Sequence, residues 1–183
     1  MIKRAAAQPS GDTLCIEPIR ELVARYSASP SFDPFARNSR VADIRNDLNT
    51  ETQAEHHLEA GEFLSGLEPQ SYKLAIFDPP YSTRQTKELY NSIGLSCKQE
   101  DTQASAWTRW GEGIRMALKV GGVCIKCGWN SCRPFEGCRL VEMLIVCHGG
   151  MHNDTIVTVW EKTYHQQGLF ERNHDGIESN CEG

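Results

Sequence analysis

One tetrapeptide concentrates more chemistry than any other stretch of this 183-residue chain: Asp78-Pro79-Pro80-Tyr81. It follows directly on Tyr72-Lys73-Leu74-Ala75-Ile76-Phe77, which reads as the clearest strand in the sequence and is broken by the paired prolines. Prolines carry no N–H and hold φ fixed, so their carbonyls stay free to accept hydrogen bonds. An ionised Asp also only accepts, and the tyrosine ring offers a flat π face. The set suits a planar group that presents N–H bonds and can be stacked. In open α/β sheets ligands bind beyond the carboxyl ends of the strands, where this motif falls. The plainer reading of the same residues is a strand-ending turn with an ordinary capping Asp.

Two further acids stand where strands should end. Asp33 lies in Ser31-Phe32-Asp33-Pro34-Phe35-Ala36, a very short strand running into a turn. Asp47 lies in the polar turn Asn46-Asp47-Leu48-Asn49-Thr50, after a weak strand from about Val41 to Arg45. An acid after a second strand can accept from both hydroxyls of a ribose. Each also fits a plain turn-forming role. The cysteines invite a metal reading, because Cys124-x-x-Cys127 has zinc-like spacing. That pair follows Gly121-Gly122-Val123 and reads as strand, where residues three apart point to opposite faces. No metal ligand is therefore assigned, and buried, reduced cysteines are expected.

The elements that must carry these residues are short strands alternating with helices. Ile16, Ile19, Leu22, Val23 and Tyr26 recur at helical spacing behind a cap at Asp12 or Thr13, with Pro18 in the first turn. His57-Leu58 reads as a third short strand, followed by a helical turn with Phe63, Leu64 and Leu67. Ala104, Trp107, Trp110, Ile114 and Ala117 mark an amphipathic helix ending at Lys119-Val120-Gly121-Gly122, and a buried strand then covers Val123 to Cys127. Leu140–Cys147 and Thr155–Trp160 form a terminal hairpin through His148-Gly149-Gly150-Met151-His152-Asn153-Asp154. The pattern predicts a mostly parallel sheet with helices on both faces and an antiparallel strand at one edge. Residues 1–11 read as a flexible lead-in, 12–162 as one domain, 82–106 as a substrate-side loop with a short helix inside, and 163–183 as a disordered polar tail.

In this setting Asp78-Pro79-Pro80-Tyr81 resembles the catalytic motif of S-adenosylmethionine-dependent methyltransferases that act on exocyclic amines of nucleobases, above all adenine N6. Phe32-Asp33-Pro34-Phe35-Ala36 resembles the first cofactor motif of that family, whose common form continues Gly-Ser-Gly. Asn46-Asp47-Leu48-Asn49 resembles the turn whose acid binds the cofactor ribose, and His57-Leu58-Glu59-Ala60 the segment beside the cofactor adenine. Phage and prophage orphan adenine methyltransferases are the nearest type. The resemblance implies a Rossmann-like class I methyltransferase fold with a seven-stranded sheet and S-adenosylmethionine as cofactor. It implies cofactor contacts from Phe32, Asp33, Pro34, Phe35, Asp47, Leu48, Glu59, Ala60 and Asp78, and catalysis by Asp78, Pro79, Pro80 and Tyr81. The sequence departs from the motif at Arg37-Asn38-Ser39, where Gly-Ser-Gly would stand. Cytosine N4, guanine N2 in RNA, or a zinc-stabilised or catalytically silent binding module are the rival readings.

Composition bounds the rest. Nineteen Lys+Arg against 24 Asp+Glu give a net charge of −5, which argues against a strongly basic nucleic-acid surface. DNA as substrate then requires local contact: Tyr81 as a stacking face, and Arg84, Lys87 and Lys98 as phosphate contacts. A homodimer or helper subunit becomes an expected partner. Met1-Ile2-Lys3-Arg4 leads into no apolar run, and no stretch approaches the ~20 apolar residues of a membrane span, so a cytoplasmic, reducing setting is expected.

Overall fold

The computed structural model describes residues 1–92, 94 and 104–164. Lys98, in the expected substrate-side loop, and the polar tail from residue 165 onward lie outside the described residues. Seven strands form one sheet: β1 (Ile2–Ala6), β2 (Ser31–Asp33), β3 (Ile44–Arg45), β4 (Tyr72–Phe77), β5 (Leu118–Gly128), β6 (Cys138–Cys147) and β7 (Thr155–Lys162). Their spatial order is β1-β6-β7-β5-β4-β2-β3. Every pairing is parallel except those of β7, which runs antiparallel to both β5 and β6.

The helices cover both faces. On one side lies α1 (Glu17–Arg25), whose Ile19, Leu22 and Val23 pack on Leu74, Ile76, Ile125, Val146, Val157 and Val159. On the other lie α2 (Ala60–Ser65) and α4 (Ala104–Ala117), whose Phe63, Leu64, Trp110 and Ile114 pack on Phe32, Ala75 and Phe77. The alternation along β4 explains the split: Leu74 and Ile76 face one core, and Ala75 and Phe77 the other. β5 divides its cysteines in the same way, Cys124 into the α4 core and Cys127 into the α1 core. The two thiols therefore lie on opposite sides of the sheet. Among the described residues no cluster of His, Cys, Asp and Glu could hold a metal ion, and no helix is long and apolar enough to cross a membrane.

Three features differ from the sequence reading. Residues 2–6 are not a loose lead-in: Ile2–Ala6 pairs in parallel with Met143–Cys147 and occupies one edge of the sheet. A strand of small and charged residues carries no apolar alternation of its own, and its signal is the exposed edge of β6 that it satisfies. The expected third strand at His57-Leu58 shrinks to a single bridge between Asn46 and His56. The antiparallel strand is not at an edge, because β7 inserts between β5 and β6 and leaves β6 and β1 outside it. The expected count of seven is thus met by a different set.

Other boundaries move little. β5 begins at Leu118 rather than Val123, with a register shift opposite Tyr72/Leu74 where Gly121 adopts φ +79°. Asp12 caps a short 3-10 turn (Thr13–Cys15) through the Leu14 N–H, and Pro18 sits in the first turn of α1. The start of the 82–106 segment forms a longer helix than expected, α3 (Thr83–Ser92).

Candidate active site

β2 and β4 are neighbours in the sheet, and each runs directly into an Asp-Pro step at its carboxyl end. Between their ends and the residues after β3 lies a cavity of about 350 Å3, lined by Ser10, Gly11, Thr13, Phe35, Arg37, Asp47, Asp78, Pro79, Pro80, Tyr81 and Gln85. A narrower pocket of about 40 Å3 shares Phe35, Asp47 and Pro80 with it and adds Pro34, Asn46, Leu48, Leu58, Glu59, Ala60, Thr86, Tyr90 and Trp110. The fold thus gathers residues separated by up to a hundred positions onto one face of the molecule.

Asp78 is the acidic centre of the larger cavity. Burial raises its carboxyl above the usual carboxylate range, while hydrogen bonds from Tyr81 and Thr13 and the charge of Arg37 act in the opposite direction. Tyr81 donates its hydroxyl to Asp78 Oδ1 and also meets Thr13 Oγ1 at 3.2 Å. Burial pushes the Tyr81 phenol up, so it remains a donor. Its backbone N–H donates to Gln85 Oε1 at 2.7 Å, and its ring stands edge-on to Trp129 at 5.6 Å. A carboxylate has about four lone-pair sites, so Asp78 keeps acceptor capacity beyond these bonds.

Asp47 is buried, and both of its oxygens are oriented: Oδ1 accepts from the Asn49 N–H at 2.9 Å and Oδ2 from the Arg37 N–H at 3.0 Å. It lines both pockets. Asn46 beside it is 1% exposed and acts as a knot. Its Nδ2 donates to the carbonyls of Pro34 and Leu58, and its Oδ1 accepts from the Leu58 N–H, tying the turn after β2 to the segment before α2. The sequence reading missed Asn46, because a polar residue in a polar turn carries no sign of burial. It also missed Thr13, Gln85 and the Ser10-Gly11 wall, which only tertiary packing brings near Asp78.

Several expected residues take other positions. Asp33 is 1% exposed, lines neither pocket, and accepts the Phe35 N–H at 2.9 Å. Burial holds its carboxyl well above the usual range, with the charges of Asp78 and Asp47 adding to the effect. Phe32 is fully buried, edge-on to Tyr72 in the α4 core. Glu59 lines the narrow pocket, but its carboxylate caps α2 through the Gly61 and Glu62 N–H groups and accepts from Trp110 Nε1 at 3.0 Å. Pro34, Leu48 and Ala60 reach the narrow pocket, and Phe35 both. Arg84 is largely exposed and pairs with Glu88 one turn along α3, and Lys87 is exposed on the same helix. His148 holds the hairpin through the Ala7 carbonyl and Thr155 Oγ1.

In the turn after β2, Arg37 adopts φ +50°, a left-handed conformation that costs a non-glycine residue ~1–2 kcal/mol. Its guanidinium donates to the carbonyl of Gly11, another residue lining the larger cavity.

No family model matches the chain, and no curated protein does. Among solved structures it is similar to TrmN from Thermus thermophilus, with 15% sequence identity and a TM-score of 0.53 over 80% of this chain and 49% of that one. The chain therefore spans about half the length of that neighbour. YhhF from Escherichia coli, named as a methyltransferase, aligns over 86% of this chain and 88% of its own, with 12% identity and a TM-score of 0.46. The architecture, a mostly parallel seven-stranded sheet with an antiparallel strand and helices on both faces, is a Rossmann-like methyltransferase fold.

Proposed function

We propose that this chain transfers a methyl group from S-adenosylmethionine to the exocyclic amino group of a nucleobase, with adenine N6 in DNA as the acceptor. The observation that carries this reading is the convergence of Asp78-Pro79-Pro80-Tyr81 and the oriented carboxylate of Asp47 on one cavity at the carboxyl ends of parallel strands. A methyltransferase fold supports it.

The residues present suit the cofactor. Asp47 has lone pairs left for two ribose hydroxyls, and Pro34, Phe35, Leu48 and Ala60 line a narrow pocket that adjoins it. Bound there, S-adenosylmethionine supplies an electrophilic sulfonium methyl. The rest of the work falls to the chain. A nucleobase amine is a poor nucleophile because its lone pair is delocalised into the ring. Asp78 and the Pro79 carbonyl accept its two N–H bonds, which draws the nitrogen toward tetrahedral geometry and localises the lone pair. Tyr81, held by Asp78, Thr13 and Gln85, braces the base. Holding the amine in line with the methyl group is then the larger part of catalysis, and the proton shed by the methylated nitrogen passes to Asp78 or to water. A duplex substrate has to extrude the base first.

With a net charge of −5 and Arg84 paired to Glu88, nucleic-acid affinity is modest and strongly salt-dependent, and a second copy or a helper subunit adds phosphate contacts. The test is transfer of labelled methyl to DNA and to RNA by wild type and Asp78→Ala, with the product nucleoside identified. Label in DNA N6-methyladenine that vanishes in the variant is the expected result. Label in N4-methylcytosine or in N2-methylguanine of RNA would replace the acceptor. Absence of S-adenosylmethionine binding at millimolar concentration by calorimetry would overturn the reading.

A further inference from the structure

Arg37 stands where a glycine-rich turn would let a ligand lie against bare backbone, and three observations show that it is more than a tolerated replacement. Its backbone is held in the left-handed region at φ +50°, a strained state for a residue with a Cβ. Such strain persists where the surrounding structure enforces it, and the enforcing contact is the Arg37 N–H donated to Asp47 Oδ2 at 3.0 Å. Exposed at the rim of the larger cavity, Arg37 is the sole basic residue among the described lining residues, and its charge acts on Asp78. Finally, its guanidinium bonds to a neutral backbone carbonyl, that of Gly11, and no carboxylate lies within ion-pair distance of it among the described residues.

A guanidinium carries five donors in a fork that matches a carboxylate, and one carbonyl uses little of that capacity. The proposed cofactor ends in an amino acid, with an ammonium and a carboxylate. The negative charge of Asp47 and Asp78 favours the ammonium and the sulfonium through space, beyond the hydrogen bonds assigned to them; the carboxylate needs a cation.

We infer that Arg37 is the receptor for the cofactor's α-carboxylate, a side-chain substitute for the close backbone approach that the missing glycines would have allowed. The inference rests on the proposed function, since it presumes that S-adenosylmethionine occupies the cavity. Binding exchanges the Gly11 carbonyl for the carboxylate, and the strained turn presets the guanidinium for it.

Calorimetry with S-adenosylmethionine and with decarboxylated S-adenosylmethionine, which lacks only that group, tests this on the full chain. Wild type should prefer the intact cofactor by at least ~10-fold, as expected for a charge-assisted hydrogen bond. Arg37→Gly should erase the preference while leaving affinity for the decarboxylated compound within ~2-fold, and Arg37→Lys should retain part of it. Because glycine accepts φ +50° freely, Arg37→Gly should melt no lower than wild type, which separates lost recognition from lost folding. Equal binding of both compounds by wild type would overturn the inference and leave the proposed function standing. So would a preference that survives in Arg37→Gly, or a variant whose sole defect is a raised KM for nucleic acid, which would make the guanidinium a phosphate contact. Wild type that binds neither compound would overturn the proposed function and this inference together.

Discussion

Two adjacent parallel strands run into the same dipeptide, Asp33-Pro34 at the end of β2 and Asp78-Pro79 just after β4, and the two acids have opposite fates. Both carboxyls are pushed up by burial. Asp33 turns inward: at 1% exposure it closes its own turn through the Phe35 N–H and lines neither pocket. Asp78 turns into the larger cavity and is met there by Tyr81 and Thr13 from outside its strand. The difference arises after the dipeptide. Phe35 follows Pro34; its half-buried ring packs against Phe77 and Trp110 while its N–H closes the β2 turn on Asp33. A second proline follows Pro79, removes another donor, and keeps the β4 turn open. An acid at a strand end is therefore a functional candidate when it keeps an edge on the cavity, as Asp78 and Asp47 do and Asp33 does not.

The comparison breaks most sharply under paired substitution. Asp78→Ala should lower methyl transfer by ~100-fold or more, the scale of a lost positioned catalytic group, with melting little changed. Asp33→Asn keeps an oxygen for the Phe35 N–H and should change transfer by less than ~10-fold. Equal losses measured side by side would make Asp33 a ligand-contacting residue after all.

Asp47→Ala comes next. It should weaken cofactor affinity in calorimetry by ~10–100-fold, the worth of hydrogen bonds to a charged group. Stability should fall by ~1–3 kcal/mol, because the Arg37 and Asn49 N–H groups lose their partner. A variant that unfolds more readily yet binds normally would leave Asp47 a turn residue alone.

The smallest effect sharpens the contrast through pH. A carboxyl whose folded pKa lies above its unfolded value binds its proton more tightly when folded. Stability contributed by Asp33 and Asp78 is thus present in acid and lost as pH rises from ~4 toward their raised values. Asp33→Asn should flatten that decline and melt higher than wild type near neutrality. A denaturation series from pH 4 to 8 reads it directly; a slope identical to wild type would show that Asp33 contributes nothing to it.

Much of the molecule was legible in local pattern. The apolar run 72–77 broken by two prolines located β4, and helical spacing located α1 and α4. The opposite-face argument for Cys124 and Cys127 agrees with their separation into two cores. Residues 2–6 were illegible because an edge strand without alternation is defined by its partner β6. Asn46 and Thr13 were illegible because hydrogen bonds to distant carbonyls and hydroxyls leave no periodicity behind.

The sequence by itself determined the alternating elements, the break after Phe77 and the presence of Asp78-Pro79-Pro80-Tyr81, because each depends on φ restriction or on side-chain period within a few residues. Tertiary structure alone decided which acids face the cavity and which are consumed by the backbone. It put Arg37 into a left-handed turn across from Gly11 and moved β7 inside the sheet. Those outcomes depend on which distant donor reaches a given acceptor first, and only the packed sheet brings the competitors together.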